Sequence, residues 1–354
     1  MAKNIKVQGF ILVDVDAVAL NNAGKNETTN FENVVSTKQI RKNGKTYTYV
    51  SGQAFKNWWR ETLQKDQGWE LSPIIRASKV AYTSLDPLQY PDDDVFGYMK
   101  ASKDDNNGES KKKKEEKKAV VTRISPLKSS VLISVAPVSV AENWSSMARQ
   151  EGDSVPYFKQ EYSAVMKEMF SLDVSMVGTF SNYNKTGFMN LSDELKKEAI
   201  EKYKCQKIVD IYCKGNELIQ MPVDIRRQRC VDTIKALKTI SGGAMQTNNM
   251  GDVTPKFIIL ATTITGNHPF SHVATTEGIK DEIAKLNVDA IREVIEEYKD
   301  TFEGKIFIGK RSGFFDEYNG ELKQLAEEYK DLVVLAPVNN AIDKYCEQLS
   351  KQIE

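Results

Sequence analysis

Hydrophobic and polar positions along residues 5–16 (Ile-Lys-Val-Gln-Gly-Phe-Ile-Leu-Val-Asp-Val-Asp) begin in alternation and pass into an apolar run. That pattern predicts a long strand entering a core, broken by Asn21-Asn-Ala-Gly24. At Ser51 the period changes. Ala54, Phe55, Trp58, Thr62 and Leu63 fall on one stripe of a helix and Gln53, Lys56 and Arg60 on another side, with Ser51 placed to cap its N-terminus. Strand-like runs resume at 129–139 and 170–180, and helical patterning covers 192–203 and 223–240. Beyond these, strands are predicted at 257–261, 305–309 and 332–336, and helices at 277–300, near 319–330 and at the C-terminus. Strands and helices in this order, with a long interruption and no internal repeat, indicate an α+β core carrying insertions.

Two stretches fall outside the periodic pattern. Residues 103–118 (KDDNNGESKKKKEEKK) contain no apolar side chain and read as a solvated surface loop. Residues 241–255 open with Ser241-Gly242-Gly243 and carry an Asn-Asn turn, which predicts a small hairpin or protruding loop. Met245 and Met250 sit on it, either folded into the core or exposed as flexible wedges against bases or a neighbouring subunit.

Charge changes the picture more than composition does. The 354 residues hold 49 Lys plus Arg against 49 Asp plus Glu, which rules out a grip on nucleic acid by bulk charge. Locally the charge is sorted: residues 38–65 carry seven basic side chains against one acidic, and residues 281–303 carry eight acidic against three basic. Arg226, Arg227 and Arg229 form a second basic cluster near the start of the 223–240 helix. Basic side chains one turn along from a capped helix N-terminus suit phosphate oxygens, and solvated basic faces are the alternative. No run approaches the roughly 18 apolar residues of a membrane span, and the opening residues lack the apolar core of a signal peptide, so a cytoplasmic protein is expected.

Candidate chemistry is sparse. Four cysteines without a C-x-x-C pair read as reduced thiols. The only histidines, His268 and His272, flank Pro269 in a loop-like His-Pro-Phe-Ser-His, a poor metal pair and little material for a histidine-dependent enzyme. No catalytic residue, metal ligand or cofactor is therefore assigned.

At Leu20-Asn-Asn-Ala-Gly24, Tyr49-Val-Ser-Gly-Gln-Ala54, Arg60-Glu-Thr-Leu63, Asp92-Asp-Asp-Val-Phe-Gly-Tyr-Met99, Thr122-Arg-Ile-Ser-Pro-Leu127, the region from Val155 to Phe180, Ser241-Gly-Gly243 and Thr254-Pro255, the sequence resembles a known family. It is similar to the crRNA-binding backbone subunit of type I CRISPR Cascade complexes (the Cas-seven family, DevR/Cst branch, subtype I-B). The resemblance implies an α+β fold with a modified RRM-like (ferredoxin-like) palm, here 1–66, 162–240 and 256–354. It also implies a finger or web insertion at 67–161, containing a disordered loop at 103–118, and a thumb hairpin at 241–255. The family's RNA contacts fall on Ser51, Gly52, Gln53, Lys56 and Arg60, with Lys38 and Arg41 from a loop of variable length. The thumb supplies Ser241, Gly242, Gly243, Met245 and Met250, and the second basic cluster adds Arg226 and Arg229.

That resemblance implies a non-catalytic subunit that polymerises along crRNA, each thumb reaching over the next palm, and presents guide segments to a target DNA strand. Its expected partners are crRNA, target DNA, copies of itself, a 5′-end cap subunit, large and small subunits and a crRNA-processing endoribonuclease, with no membrane. Contacts to phosphates and stacking faces make such binding insensitive to guide sequence. Two rivals stand beside it. Asp92, Asp93 and Asp94 offer carboxylates for a metal-dependent RNase like the type III relatives, and the DevR name fits a regulator that selects duplex DNA.

Overall fold

The computed structural model describes residues 4–23, 34–77, 80–100, 121–147, 155–183, 188–276 and 283–354. The 103–118 loop lies outside these. From the N-terminus, β1 (Lys6–Val18) is followed by β2 (Gln39–Lys42), β3 (Lys45–Val50), α1 (Gly52–Gln67), α2 (Pro91–Phe96), β4 (Leu127–Ser129) and β5 (Leu132–Ser134). Next come β6 (Ala141–Met147), β7 (Val155–Asp173), β8 (Thr179–Phe180), α3 (Asp193–Glu201), β9 (Gln206–Val209), β10 (Glu217–Gln220) and α4 (Val223–Lys235). The remainder is α5 (Gln246–Asn249), β11 (Phe257–Thr263), β12 (Ala274–Thr276), β13 (Ala284–Leu286), α6 (Val288–Tyr298), β14 (Ile306–Lys310), α7 (Asn319–Glu328), β15 (Val333–Ala336) and α8 (Val338–Gln352).

A central, mostly antiparallel sheet runs in the order β15-β14-β11-β1-β7-β5-β3-β2; along that order the β14–β15 pair is parallel, and the short strand Val34–Val35 adds a second parallel pairing, to Phe158 and Lys159 of β7. β1 lies between β7 and β11, antiparallel to both. The chain therefore crosses from β1 through α1 to β5 with β7 between them, and from β7 through α4 to β11 with β1 between them.

β1 is buried on both faces, which is why its sequence reads as a run rather than strict alternation. Val7, Ile11 and Val13 join one core cluster with Phe55, Trp59 and Leu63 of α1, Ile234 of α4 and Tyr345 of α8. Phe10 and Leu12 join a second cluster with Ile291 and Ile295 of α6 and Leu322 and Leu325 of α7. The sheet is thus covered by helices on two faces. A third, smaller cluster sits under α3 and β10, around Phe180, Leu191 and Ile219. Among the described residues no helix is long and apolar enough to cross a membrane.

The predicted strand at the N-terminus, the helix from Ser51 and the strand–helix order of the C-terminal third are all present. Three expectations are corrected. The strand expected at 170–180 is the end of the 19-residue β7 followed by the separate short β8, and the first half of β7 (Val155 to Glu161), which carries no regular apolar alternation, pairs with β6 as a ribbon. Of the helix expected at 277–300, Ala284–Leu286 is instead a strand paired with Ala274–Thr276, and the helix starts at Val288 behind an Asn287 cap. The 241–255 segment forms no strand: its ordered element is the single helical turn Gln246–Asn249.

Candidate nucleic-acid interface

α1 starts where Ser51 leaves the extended strand conformation, and its Oγ accepts from the Ala54 N–H at 3.3 Å. The first turn carries no acidic side chain, so the positive end of the helix is left uncompensated by its own sequence. Gly52 packs directly on β4, where an added Cβ would stand 2.7 Å from the Ser130 carbonyl oxygen and 2.8 Å from that of Ser129. Only glycine lets the helix start this close. Phe55, Trp58, Trp59, Thr62 and Leu63 face inward, with the Trp59 ring edge-on to Phe170 at 5.0 Å and its Nε1–H donating to the Thr233 carbonyl at 2.7 Å.

The other side of α1 is open. Gln53 and Asn57 are exposed, and Gln53, Lys56, Asn57 and Arg60 form one wall of a cavity of about 180 Å³ closed by Thr83, Asp92, Asp93, Phe96 and Gly97. Lys56 is half-buried, and desolvation holds its ammonium below the usual lysine range. Arg60 is tethered: its Nε donates to Asp92 Oδ2 at 2.7 Å and an Nη to the Ser72 carbonyl at 3.4 Å. Of the two cations on this face, Arg60 has a carboxylate ion partner and Lys56 has none among the described residues.

The three consecutive aspartates are clamps. Asp92 takes Arg60 and the Ser72 N–H. Asp93 takes the Asp86 N–H at 3.0 Å and the Ser84 hydroxyl at 3.4 Å, and burial raises its pKa. Asp94, fully buried, accepts from Arg123, from Arg229 Nη1 at 2.6 Å and from the Gly178 N–H at 2.9 Å. All three carboxyls are under 3% exposed.

This corrects the second basic cluster. Arg226 and Arg229 are 6% and 5% exposed and turned inward. Besides Asp94, Arg229 bonds the Pro87 and Leu88 carbonyls, while Arg226 bonds those of Val177 and Glu354. Their sequence positions on one helix gave no sign of a buried acceptor 135 residues away. Arg123, the third arginine of this network, was not anticipated, although its place in Thr122-Arg-Ile-Ser-Pro between apolar residues is a signal for a paired interior charge.

The 241–255 segment lies against α1. The Ser241 N–H donates to Thr62 Oγ1 at 3.3 Å, and Gly242 sits on the Trp58 ring, where an added Cβ would come within 2.1 Å. Gly243 and Gly251 approach Leu20, and the Ala244 N–H donates to the Leu20 carbonyl at 3.0 Å. Met245 is half-buried and Met250 is 84% exposed, both in left-handed backbone. Neighbouring Asn21, also not singled out from sequence, ties in the β2–β3 hairpin: its Oδ1 accepts from the Lys38 N–H at 2.9 Å and its Nδ2 donates to the Tyr49 carbonyl at 2.6 Å. Arg41 is exposed on that hairpin. Residues 20–21 therefore tie the hairpin of Lys38 and Arg41 to the glycine-rich segment, which itself lies against α1.

Among the described residues, no group of three or more His, Cys, Asp or Glu side chains could hold a metal ion.

The profile of the family described as "CRISPR-associated negative auto-regulator DevR/Csa2" matches residues 11–283. No curated protein matches the chain. In solved structures, a chain of a "CRISPR RNA-guided surveillance complex" has a similar fold at TM-score 0.52 and 10% identity, covering 97% of this chain and 99% of that one. A chain of a "CRISPR RNA-guided surveillance complex, pre-nicking" is similar at TM-score 0.52 and 10% identity, over 97% of this chain and 100% of that one.

Proposed function

This chain belongs to the CRISPR-associated DevR/Csa2 family, and on that premise we propose that it is a non-catalytic backbone subunit of a type I (I-B) Cascade surveillance complex. It polymerises along crRNA, grips phosphates and presents guide segments for pairing with a target DNA strand. The observation that carries this reading is the outward side of α1: a capped helix N-terminus without first-turn acids, followed by Gln53 and Lys56. Arg60 acts from its Asp92 tether, and Ser241, Gly242 and Gly243, packed on α1 at Thr62 and Trp58, are assigned to the same interface. Lys38 and Arg41 extend it along the β2–β3 hairpin, and the exposed Met250 is the wedge beside a displaced base.

The strand order β11-β1-β7-β5, with α1 and α4 crossing one face, supports the modified RRM-like palm. β4 and β5 extend that palm into residues 127–134, within the span expected for the finger or web insertion. The thumb at 241–255 is a compact glycine-rich loop rather than a hairpin. Sequence specificity then comes from base pairing, and the protein contributes shape and charge. The partners of this reading are crRNA, target DNA, further copies of the chain and the other Cascade subunits.

The burial of Asp92, Asp93 and Asp94, two of them ion-paired to arginine, weighs against the RNase alternative. The experiment is to express the chain alone and with its neighbouring genes, then size and sequence the RNA that co-purifies and image the particles. Uniform guide-length RNA in curved multi-copy particles is expected. A nucleic-acid-free monomer under both conditions refutes the reading, and Mg²⁺-dependent RNA cleavage abolished by Asp93→Ala restores the enzyme.

A further inference from the structure

One buried group is out of keeping with its surroundings. Glu168 lies in the middle of β7, opposite Ile11 of β1, and is 0% exposed. Among the described residues neither of its carboxyl oxygens meets a donor in good hydrogen-bonding geometry, although the Ser129 hydroxyl is close enough to favour the charged form. Met166, Phe170 and Leu172 alternate on its side of the strand, in the cluster that holds Ile258 of β11 and the inward face of α1. The strand segments flanking Glu168 are those on which α1 is seated. Phe170 carries Trp59, and Ser129, paired opposite Phe170, forms with Ser130 the backbone surface against which Gly52 packs.

We propose that Glu168 is a positioning residue for α1: uncharged, its carboxyl completes the apolar seat of the helix, and its ionisation loosens that seat and with it the phosphate-facing surface. The proposal rests on the reading of α1 as the phosphate-gripping element.

The groups around Glu168 leave the negative charge unsupported. β1 and β11 present Ile11 and Ile258, and α1 lays Phe55, Trp58 and Trp59 on this cluster. β4 presents Ser129, whose hydroxyl favours the charged form but donates to the Ser130 carbonyl at 3.1 Å. The lysines of the neighbouring segments are directed elsewhere. Lys167 donates on the opposite side of the sheet to the Ser271 and Ala274 carbonyls, Lys128 pairs opposite Ser171 on that side, and Lys56 belongs to the outer side of α1. Asp92 is held by Arg60. Burial accordingly pushes the Glu168 carboxyl up to about 8, so its proton is lost within a range that a cell or a buffer reaches.

The test measures affinity of the full chain for a single-stranded RNA oligonucleotide by fluorescence anisotropy at constant salt from pH 6.5 to 9.5, for the wild type and Glu168→Gln. Because Lys56 also titrates low, the readout is the ratio of the two dissociation constants at each pH, in which Lys56 cancels. The expected result is a ratio that is flat at low pH and then rises against the wild type by up to about tenfold per pH unit above 8. A ratio constant across the range overturns the proposal. If Glu168→Gln does not fold, hydrogen exchange in the wild type decides: α1 amides must lose protection between pH 7 and 9 beyond the intrinsic rate change, and unchanged protection is equally fatal. If neither protein binds RNA at any pH, the phosphate-gripping reading fails, while the exchange measurement still reports on the seat.

Discussion

Replacing Glu168 by glutamine tests the energetics of this buried carboxyl without reference to RNA. A folded-state pKa of about 8 against an ordinary 4.5 means that between these values the folded protein holds a proton that the unfolded chain has released. Stability therefore falls as pH rises through that window, because the native state binds more protons. At about 1.4 kcal/mol per pH unit, the cost is near zero below pH 4, about 3 kcal/mol at pH 7 and about 5 kcal/mol once the window is crossed. Glutamine has nearly the same shape and keeps a polar end in the same place, but it carries no titrating proton. The variant is expected to match the wild type at pH 4 and to exceed it by about 3 kcal/mol at pH 7, a large fraction of a typical domain's stability. Urea unfolding of both proteins at half-unit pH intervals, with the slope m held common, gives the difference curve. A difference that does not change with pH would show that the carboxyl ionises as an exposed glutamate does, and the account of its burial would fall.

Asp94→Asn leaves Arg123 and Arg229 buried with their shared charge removed, and is expected to cost about 3–5 kcal/mol in urea unfolding, against less than about 1 kcal/mol if the network is dispensable. Gly242→Ala drives a methyl into the Trp58 ring, with an expected loss of about 1–3 kcal/mol and a changed Trp emission spectrum; an unshifted unfolding midpoint refutes the contact. Lys56→Ala is expected to flatten the salt dependence of RNA binding by about 0.7 in the log–log slope, one phosphate contact on a single strand, at unaltered stability. An unchanged slope would remove Lys56 from the interface. Met250→Asp, at an 84% exposed position, is expected to shift stability by no more than about 0.5 kcal/mol while impairing multi-copy assembly on a long RNA, and normal assembly would refute the wedge.

Much of α1 was legible in the sequence because a helix displays its logic locally: the cap, the apolar stripe and the open side all lie within 17 residues and follow a 3.6-residue period. The inner half of β1 was legible for the same reason, since a strand buried on both faces is apolar throughout. The outer half of β7 was not, because a ribbon that leaves the core needs no apolar pattern and is held by its pairing with β6. Nor did 241–255 declare its form. Glycines permit a hairpin and a compact loop alike, and the choice follows from where Trp58, Thr62 and Leu20 receive the chain.

Charge marks the same division more sharply. The sequence by itself determined the α+β class, the capped helix with its polar side and a sorted distribution of charge under a net of zero. Only the tertiary structure decided which charges face outward. Of Arg226 and Arg229, alike in sequence to any surface cluster, Arg229 is drawn inside by Asp94 and Arg226 by the Val177 and Glu354 carbonyls, and Arg60 is held by Asp92, while Lys56 keeps its place on the open side of α1. The reason is that solvent exposure is a property of the packed chain. A guanidinium enters the interior only where distant segments bring a carboxylate or carbonyls to meet it, and helix periodicity carries no information about an acceptor that lies more than 100 residues away.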